Sequence, residues 1–252
     1  MTLVWKSGYS FDSDASTYID AVETADGQAL ETDVRVAIND FVLGCKQDGI
    51  WNAIKASCIL AGARTLDGAL VPLVGSAPTN VGLLDTDYNR TNGITNGLGE
   101  YIDTNYSNTL PFQDNHHLAV YQPIAGTGSN IAGVGSGPVA GATHLYADGS
   151  RIVYRNRSSG SNDQTTGVRP TGFLGMSRGS SSSFNTRHLG VSNVFQRASQ
   201  SPYVGNVWIF GRNPQLSNPN TISFYSIGES LDLALLDTRV STLITAIGAA
   251  IP

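Results

Sequence analysis

Residues 151–157 carry the charge pattern that most directly suggests binding. Ile152 and Tyr154 alternate with Arg151, Arg155 and Arg157. Because neighbouring side chains of a β-strand point to opposite faces, this order predicts a strand with an apolar face and an open face of guanidinium groups. Guanidinium groups suit carboxylates and protein interfaces, since they offer a planar fork of donors and are weakly hydrated. The segment predicts either a solvated strand face or a site for an anionic glycan or an acidic partner.

Residues 175–179 match the G-x-S-x-G pattern of a hydrolase nucleophile elbow, with Ser177 at the centre. Such an elbow needs a helix after it, followed along the chain by an acid and then a histidine. Four serines follow instead, and the last histidine, His188, precedes the later aspartates Asp232 and Asp237. We interpret the pattern as a strand that runs into a polar loop.

Glycoside hydrolysis needs two carboxylates that face each other across the cleaved bond. In the central segment, the pair to consider is Glu100 with Asp103 or Asp114. Because spacing along the chain does not give the distance between two carboxylates, hydrolysis is kept as a third hypothesis behind structural and binding roles.

Residues 85–89 begin like a calcium-binding loop, D-x-D-x-N. An EF-hand requires glycine at the sixth position and a bidentate glutamate at the twelfth, where this chain has Arg90 and Asn96. An EF-hand is therefore excluded. A looser Ca²⁺ site at Asp85 and Asp87, whose oxygens are the hard ligands that Ca²⁺ prefers, stays open beside the simpler reading of a polar turn. Ca²⁺ is the single cofactor considered.

Other residue types that bind metals or nucleotides lack the necessary spacing. His116 and His117 are adjacent, so on a strand they point to opposite faces and are expected to be partly buried rather than to share a metal. Cys45 and Cys58 show no zinc spacing and are predicted to be buried thiols. The glycine-rich segments between 126 and 141 match no nucleotide-binding loop.

Composition limits the classes of function further. The chain has 252 residues, of which 40% are apolar and 14% charged, with a formal net charge of −5. The apolar content suffices for a core, and the missing basic excess argues against a general nucleic-acid binder. No apolar run approaches about 18 residues, so no membrane insertion is expected, and the first residues lack a secretory signal pattern.

The two ends of the chain have helical patterns. Apolar residues recur at three- and four-residue steps in segments 15–25, 28 to about 46 and 50–59, which predicts three helices, the first capped by Asp14. A further helix is expected after Ser230, and its apolar stripe is expected to pack on the N-terminal helices. These patterns give an N-terminal arm and helical region over 1–71 and a C-terminal helix over 229–252.

The central segment, 72–228, reads as an antiparallel β-sandwich, because short apolar or alternating runs are separated by frequent turn signals. Long loops are expected over 126–141 and 158–167. In the run 203–212 both faces are apolar, so Trp208 is predicted to be a core residue rather than a sugar-stacking platform. The predicted strands are 118–122, 143–147, 151–156, 172–176, 187–191, 203–212 and 221–227.

The first twelve residues carry apolar side chains without helical spacing. We expect them to form an extended assembly arm that docks on a neighbour or adds a strand to a sheet. The side chains that would make these contacts are Leu3, Val4, Trp5, Tyr9 and Phe11.

Two segments resemble a known group. Residues 208–213, WIFGRN, followed by FYSIGESLD over 224–232, resemble the end of laminin-G/concanavalin A-like jelly-roll modules in structural proteins of tailed bacteriophages. Residues 44–58, GCKQDGIWNAIKASC, continuing to Val74, are similar to a segment that precedes such modules. The resemblance frames nearly the whole chain and implies a two-sheet jelly roll on a virion. It brings no site residues with it.

The resemblance and the absence of a catalytic constellation together predict a non-enzymatic virion structural protein, made in the host cytoplasm and placed on the outer surface of the particle. The main expectation is a capsid decoration or cement protein that stabilises neighbouring capsid or tail subunits as a homotrimer or larger symmetric assembly. The alternative is a tail-associated receptor-binding adhesin that recognises host surface glycan through the arginines of 151–157 and the loops 126–141 and 158–167.

Overall fold

A computed structural model describes residues 11–127, 130–135, 139–147, 151–158, 163–166 and 171–252. The helices in this part of the chain are α1 (Ser13–Asp26), α2 (Thr32–Gln47), α3 (Leu66–Ala69) and α4 (Leu233–Ala250). Single turns of 3-10 helix cover Trp51–Ala53 and Asp85–Asp87.

Two large antiparallel sheets form a sandwich, with strand orders β1-β18-β6-β11-β12-β13 and β10-β9-β8-β7-β14-β5-β2. The six-stranded sheet contains β1 (Ile54–Ile59), β6 (His116–Gln122), β11 (Gly172–Arg178), β12 (Phe184–His188), β13 (Val191–Phe195) and β18 (Phe224–Gly228). The seven-stranded sheet contains β2 (Thr79–Val81), β5 (Tyr101–Ser107), β7 (Asn130–Val134), β8 (Thr143–Ala147), β9 (Arg151–Asn156), β10 (Asp163–Thr166) and β14 (Asn206–Ile209). The smaller strands are β3 (Tyr88–Asn89), β4 (Gly93–Thr95), β15 (Gly211–Arg212), β16 (Gln215–Leu216) and β17 (Thr221–Ile222).

The helices form a third layer on the six-stranded sheet. Phe41 of α2 meets Phe224 of β18 edge-to-face, with ring centroids 5.6 Å apart. α4 packs on α2, and the guanidinium of Arg239 pairs with Asp48 at 2.7 Å just beyond the end of α2. By length and composition alone α4 is apolar enough to cross a membrane; in this fold its apolar stripe, which includes Leu236 and Val240, is buried.

The sandwich core lies between the two sheets. Side chains from both sheets interdigitate there and are fully buried, which is the arrangement that period-two alternation produces in packed sheets. They include Leu118, Val120, Leu174 and Met176 from one sheet and Ile102, Ile131, Leu145 and Ile209 from the other. The predicted α+β class, an antiparallel concanavalin A-like sandwich with N-terminal helices and a C-terminal helix, is confirmed.

The predicted third helix is wrong. After one 3-10 turn, residues 54–59 form β1, which pairs with β18. Ile54 and Ile59 contact the helix layer, whereas Ala56 and Cys58 contact the core between the sheets. A strand covered on both faces is apolar on both, and its sequence cannot be told from a buried helix by periodicity. β1 thus belongs to the sandwich, although it lies within the predicted helical region 1–71.

The predicted strand 187–191 is also wrong, because a turn divides it. β12 ends at His188, Leu189 and Gly190 have positive φ, and β13 begins at Val191. The predicted caps differ by a few residues as well: Asp12 rather than Asp14 caps α1, and Asp232 rather than Ser230 caps α4.

Candidate functional site

The outer face of the seven-stranded sheet, away from the six-stranded sheet, carries the candidate site. In register across six strands, Thr79 pairs with Asp103, Asp103 with Trp208, Trp208 with Gly133, Gly133 with His144, and His144 with Arg155. Their neighbours in sequence point inward, so these side chains share the outer face. One transverse row therefore combines an acid, an aromatic, a glycine, an imidazole and a guanidinium.

An aromatic platform occupies one side of this row. The indole of Trp208 stacks on the ring of Tyr101, with centroids 3.9 Å apart and planes 23° from parallel. The indole Nε1–H donates to Oδ2 of Asp103 at 3.3 Å. Both rings are partly exposed.

The prediction that Trp208 is a core residue is therefore wrong. β14 is a central strand, as expected, but Trp208 on its outer side is partly exposed. Phe210, which regular strand alternation would place on the face of Trp208, lies instead in the core beside Ile209. Its φ of 65° breaks the strand alternation at that point and turns the side chain inward.

Gly133 forms the floor of a trough beside the indole. Its φ is +151°, and a Cβ there would lie 2.3 Å from the carbonyl oxygen of Thr143 and 2.6 Å from Cβ of His144. Only glycine fits, so no side chain stands between Trp208 and His144. These two residues are two strands apart, about 10 Å at ordinary strand spacing.

The hairpin β15–β16 brings Arg212 to the other side of the trough. The next residue, Asn213, joins the hairpin to β7: its N–H donates to Gly133 O at 3.2 Å, and its carbonyl accepts from Gly135 N at 2.8 Å. Arg212 Nη1 lies 3.5 Å from Nδ1 of His144, and Nη2 donates to Oε1 of Gln215. The Nε of Arg212 is buried without a hydrogen-bond partner among the described residues.

The far side of the trough holds an imidazole and two guanidinium groups. Burial, and then the charges of Arg212 and Arg155, hold the pKa of His144 well below its usual range, so its imidazole is neutral at pH 7. Burial also lowers the pKa of Arg212, while nearby Tyr146 raises it. Two guanidiniums thus flank a neutral imidazole on this side, and Asp103 supplies an acceptor on the other.

The predicted guanidinium face is only partly correct. Ile152 and Tyr154 point into the core, as predicted, but Arg155 and Arg157 are fully buried and only Arg151 is partly exposed. The open row of three guanidiniums is therefore wrong, and a binding role for Arg151 stays a prediction.

Arg157 has a structural role that explains its burial. Its φ of 51° turns the chain at the end of β9, and its guanidinium donates to the carbonyl oxygens of Asn108, Leu110 and Phe112. It thereby supplies hydrogen-bond donors to three backbone carbonyl groups of a distant loop.

The suggested calcium residues form a simple turn. Asp85, which is exposed, and Asp87, which is partly buried, begin and end the 3-10 turn, and Oδ2 of Asp87 accepts from the N–H of Leu84 at 2.6 Å. Within the described ranges, no group of three or more His, Cys, Asp or Glu side chains is arranged to hold a metal ion.

The histidine pair and the serine of the elbow pattern have structural partners. His116 and His117 are fully buried rather than partly buried. They point to opposite faces, as predicted: His116 toward Asn156 of the other sheet, His117 toward Ser226 and the carbonyl of Glu229. Ser177 Oγ donates to the carbonyl oxygen of Leu231 at 2.9 Å, and Leu231 lies in the segment that leads into α4.

The carboxylates considered for hydrolysis are engaged in local contacts. Glu100 accepts from the N–H of Gly97, and Asp103 accepts from Asn105 N and the Trp208 indole. Asp114 lies in the loop before β6, and its Oδ1 is buried without a hydrogen-bond partner among the described residues. Asp103 alone of the three belongs to the outer-face row.

Of the predicted assembly arm, Phe11 packs against the core of the helix layer. Leu3, Val4, Trp5 and Tyr9 lie outside the described residues. The prediction of long loops over 126–141 and 158–167 is wrong in part, because Asn130–Val134 form β7 and Asp163–Thr166 form β10. Other parts of both segments lie outside the described residues.

Sequence reasoning missed Tyr101, Gly133, His144 and Arg212 as site residues. They come from four separate segments and follow no motif. The sequence offered one signal: Arg212 follows Trp208 within the short segment WIFGRN, where the chain leaves β14.

No protein-family model and no curated protein matches the chain. Solved structures do match. An alanine mutant of HCR/D is 11% identical over 76% of this chain, with a TM-score of 0.50, and the binding domain of botulinum neurotoxin serotype D is 11% identical over 76%, with a TM-score of 0.49. The carbohydrate-binding module CBM40 of the Ruminococcus gnavus IT-sialidase, bound to α2,3-sialyllactose, is 12% identical over 59% of this chain and 95% of its own, with a TM-score of 0.38.

The chain spans about half the length of the first two of these structures, 52% and 50%. At such identities the likeness shows the fold alone. The fold is an antiparallel β-sandwich with an added helix layer.

Proposed function

We propose that this chain is a non-enzymatic carbohydrate-binding protein that holds a sugar on the outer face of its seven-stranded sheet. The observation that carries the proposal is the partly exposed stack of Trp208 on Tyr101 beside the side-chain-free floor at Gly133. A sugar ring offers an apolar C–H face for a flat aromatic ring and hydroxyls for nearby donors and acceptors. Asp103 and Gln215 supply such groups at the rim.

The resemblance to jelly-roll modules of tailed-phage virion proteins suggests where this binding would serve. A tail-associated adhesin must recognise a glycan of the host surface, and a β-sandwich with a partly exposed aromatic platform on one sheet face suits that role. On this proposal the protein is a receptor-binding component on the outside of the virion.

The direct test is a glycan array of bacterial surface polysaccharides, followed by calorimetric titration of the oligosaccharides bound. Trp208→Ala is expected to weaken binding at least tenfold, as truncation of a central aromatic anchor does. Trp51→Ala is the matched control, because that indole lies in the helix layer beside Lys46, on the other side of the molecule. Thermal unfolding of both variants separates lost binding from lost folding. Equal binding by Trp208→Ala and the parent chain would refute the proposed site.

A second candidate function, capsid decoration, is favoured by a different surface. The hairpin of β12 and β13 exposes Leu189, Val191 and Val194 to 62%, 58% and 59%. β13 is an edge strand whose five residues, VSNVF, carry no charge or proline to discourage pairing with another chain. Such an edge suits a contact with a neighbouring virion subunit or with further copies of this chain.

The two functions are separated by immunogold labelling of intact particles. Label on the tail tip supports the adhesin, and label over the head supports the cement protein. Val191→Lys combined with Val194→Lys should abolish assembly in sedimentation experiments if this edge is the contact. Absence of the protein from purified particles would contradict both virion roles and leave sugar binding to be judged by the array.

A further inference from the structure

We infer that the trough selects sugars that carry a carboxylate, with Arg212 as the group that binds it and Trp208 as the platform under the ring. This inference rests on the proposed function. It adds a ligand class, acidic saccharides such as uronic or sialic acids, and names a specificity residue outside the arginine segment 151–157.

The first step concerns charge. The two described partners of the Arg212 guanidinium are neutral, the imidazole of His144 and the carboxamide of Gln215. Half-buried cations usually face an acid, because burial penalises a charge that lacks a counter-charge. The titratable group that shifts the pKa of Arg212 is a tyrosine, Tyr146, rather than a carboxylate. A ligand with one negative charge would supply the counter-charge that this guanidinium lacks.

The second step concerns donors. Nε of Arg212 is buried and has no partner among the described residues, so at least one N–H stays unused. A buried donor without an acceptor costs about 1–3 kcal/mol, and a carboxylate oxygen would remove that cost through a charge-assisted bond. Unlike a neutral hydroxyl, a carboxylate satisfies the donor and the charge together.

The third step concerns placement. Gly211, adjacent to Arg212, lies against the indole: a Cβ on it would stand 3.5 Å from Cε3 of Trp208. The pairing of Asn213 with Gly133 and Gly135 fixes the hairpin on β7 at the trough. The platform and the cation are therefore held in a fixed relative position. This arrangement lets the site bind a sugar ring and its exocyclic carboxylate at the same time.

The test uses the full chain and three acidic oligosaccharides, from hyaluronan, alginate and polysialic acid, each paired with its carboxyl-reduced counterpart. Dextran, mannan and a phosphodiester-linked teichoic acid complete the panel. We expect the acidic member of at least one pair to bind, its reduction to weaken Kd at least tenfold, and added salt to weaken it as well. Arg212→Gln should weaken the acidic ligand by a similar factor and abolish the difference between the pair.

Arg35→Gln is the matched control, because it removes the same charge from the helix layer, where Arg35 pairs with Glu23. It should leave Kd and the effect of carboxyl reduction unchanged.

The outcomes separate this inference from the proposed function. If neutral glycans or the teichoic acid bind through Trp208 while carboxyl reduction or Arg212→Gln has no effect, carboxylate selection is refuted and sugar binding stands. If an acidic glycan binds with a carboxylate effect that Arg212→Gln leaves intact, the assignment to Arg212 is refuted. If nothing in this panel or on the array binds, both proposals fall.

Discussion

The indole of Trp208 and the phenol ring of Tyr101 lie face to face, 3.9 Å between centroids, on the outer face of the seven-stranded sheet. Trp208 is centred on β14, and Tyr101 begins the neighbouring strand β5. Because each ring supports the other and Asp103 holds the indole N–H, the platform is ordered before any ligand arrives. Such preorganisation lowers the entropy lost on binding.

Replacement of Gly133 tests the floor of the trough. Gly133→Ala combines an unfavourable positive φ with a clash against the backbone of Thr143, so the free energy of unfolding should fall by several kcal/mol. Gly172→Ala is the control: its φ is +77°, but no atom lies within 4 Å of the added Cβ. This replacement should lower the free energy of unfolding by only about 1–2 kcal/mol. Urea denaturation measures both, and equal costs would contradict the close approach at Gly133.

Arg157 is expected to stabilise the fold rather than to bind ligand. Arg157→Ala leaves the carbonyls of Asn108, Leu110 and Phe112 without their donor and opens a cavity, so the free energy of unfolding should drop by about 3 kcal/mol or more. Arg151→Ala, at the partly exposed first position of β9, should lower the free energy of unfolding by less than about 1 kcal/mol. A stable Arg157→Ala variant with weakened glycan binding would reverse this assignment.

Acid should destabilise the protein through buried histidines. Burial lowers the pKa of His117 to about 4 from its ordinary 6.5. Between these two pH values the unfolded chain binds a proton that the folded chain does not. The stability that neutral His117 contributes is therefore complete above pH 6.5 and is lost as the pH falls toward 4. Its size is about 3 kcal/mol. Urea denaturation at pH 7.5 and 4.5 measures the loss.

His117→Gln should make the dependence shallower without removing it, because burial also holds the pKa of His116 and His144 well below the usual range. A pH dependence identical in the variant and the parent chain would contradict the role of His117.

The two cysteines should resist modification while the protein is folded. Cys45 and Cys58 are buried free thiols, and burial raises the pKa of each to about 12. Because the thiolate is the reactive form, a disulfide reagent at pH 8 should react slowly with the native protein and fully in concentrated urea. Two thiols that react fast in the native state would contradict this expectation.

Local patterns were sufficient to predict several elements. Alternation in β9 placed Ile152 and Tyr154 on the inner face, and three- and four-residue spacing gave α1, α2 and α4 to within a few residues. These features depend on residues close together in sequence, where the geometry of a helix or strand alone decides which side chains share a face. The adjacent histidines on opposite faces of β6 follow for the same reason.

Which faces are covered was decided only by the tertiary structure. β1 and β14 are both apolar on two sides; β1 lies between the helix layer and the sandwich core, whereas Trp208 on the outer side of β14 is partly exposed and forms a platform. Arg157 is buried because carbonyls some 45 to 49 residues away in the chain accept its protons. The candidate site joins β5, β14, β7, β8 and the β15–β16 hairpin. Its chemistry arises from sheet order and register, which depend on pairings between distant segments that no local pattern specifies.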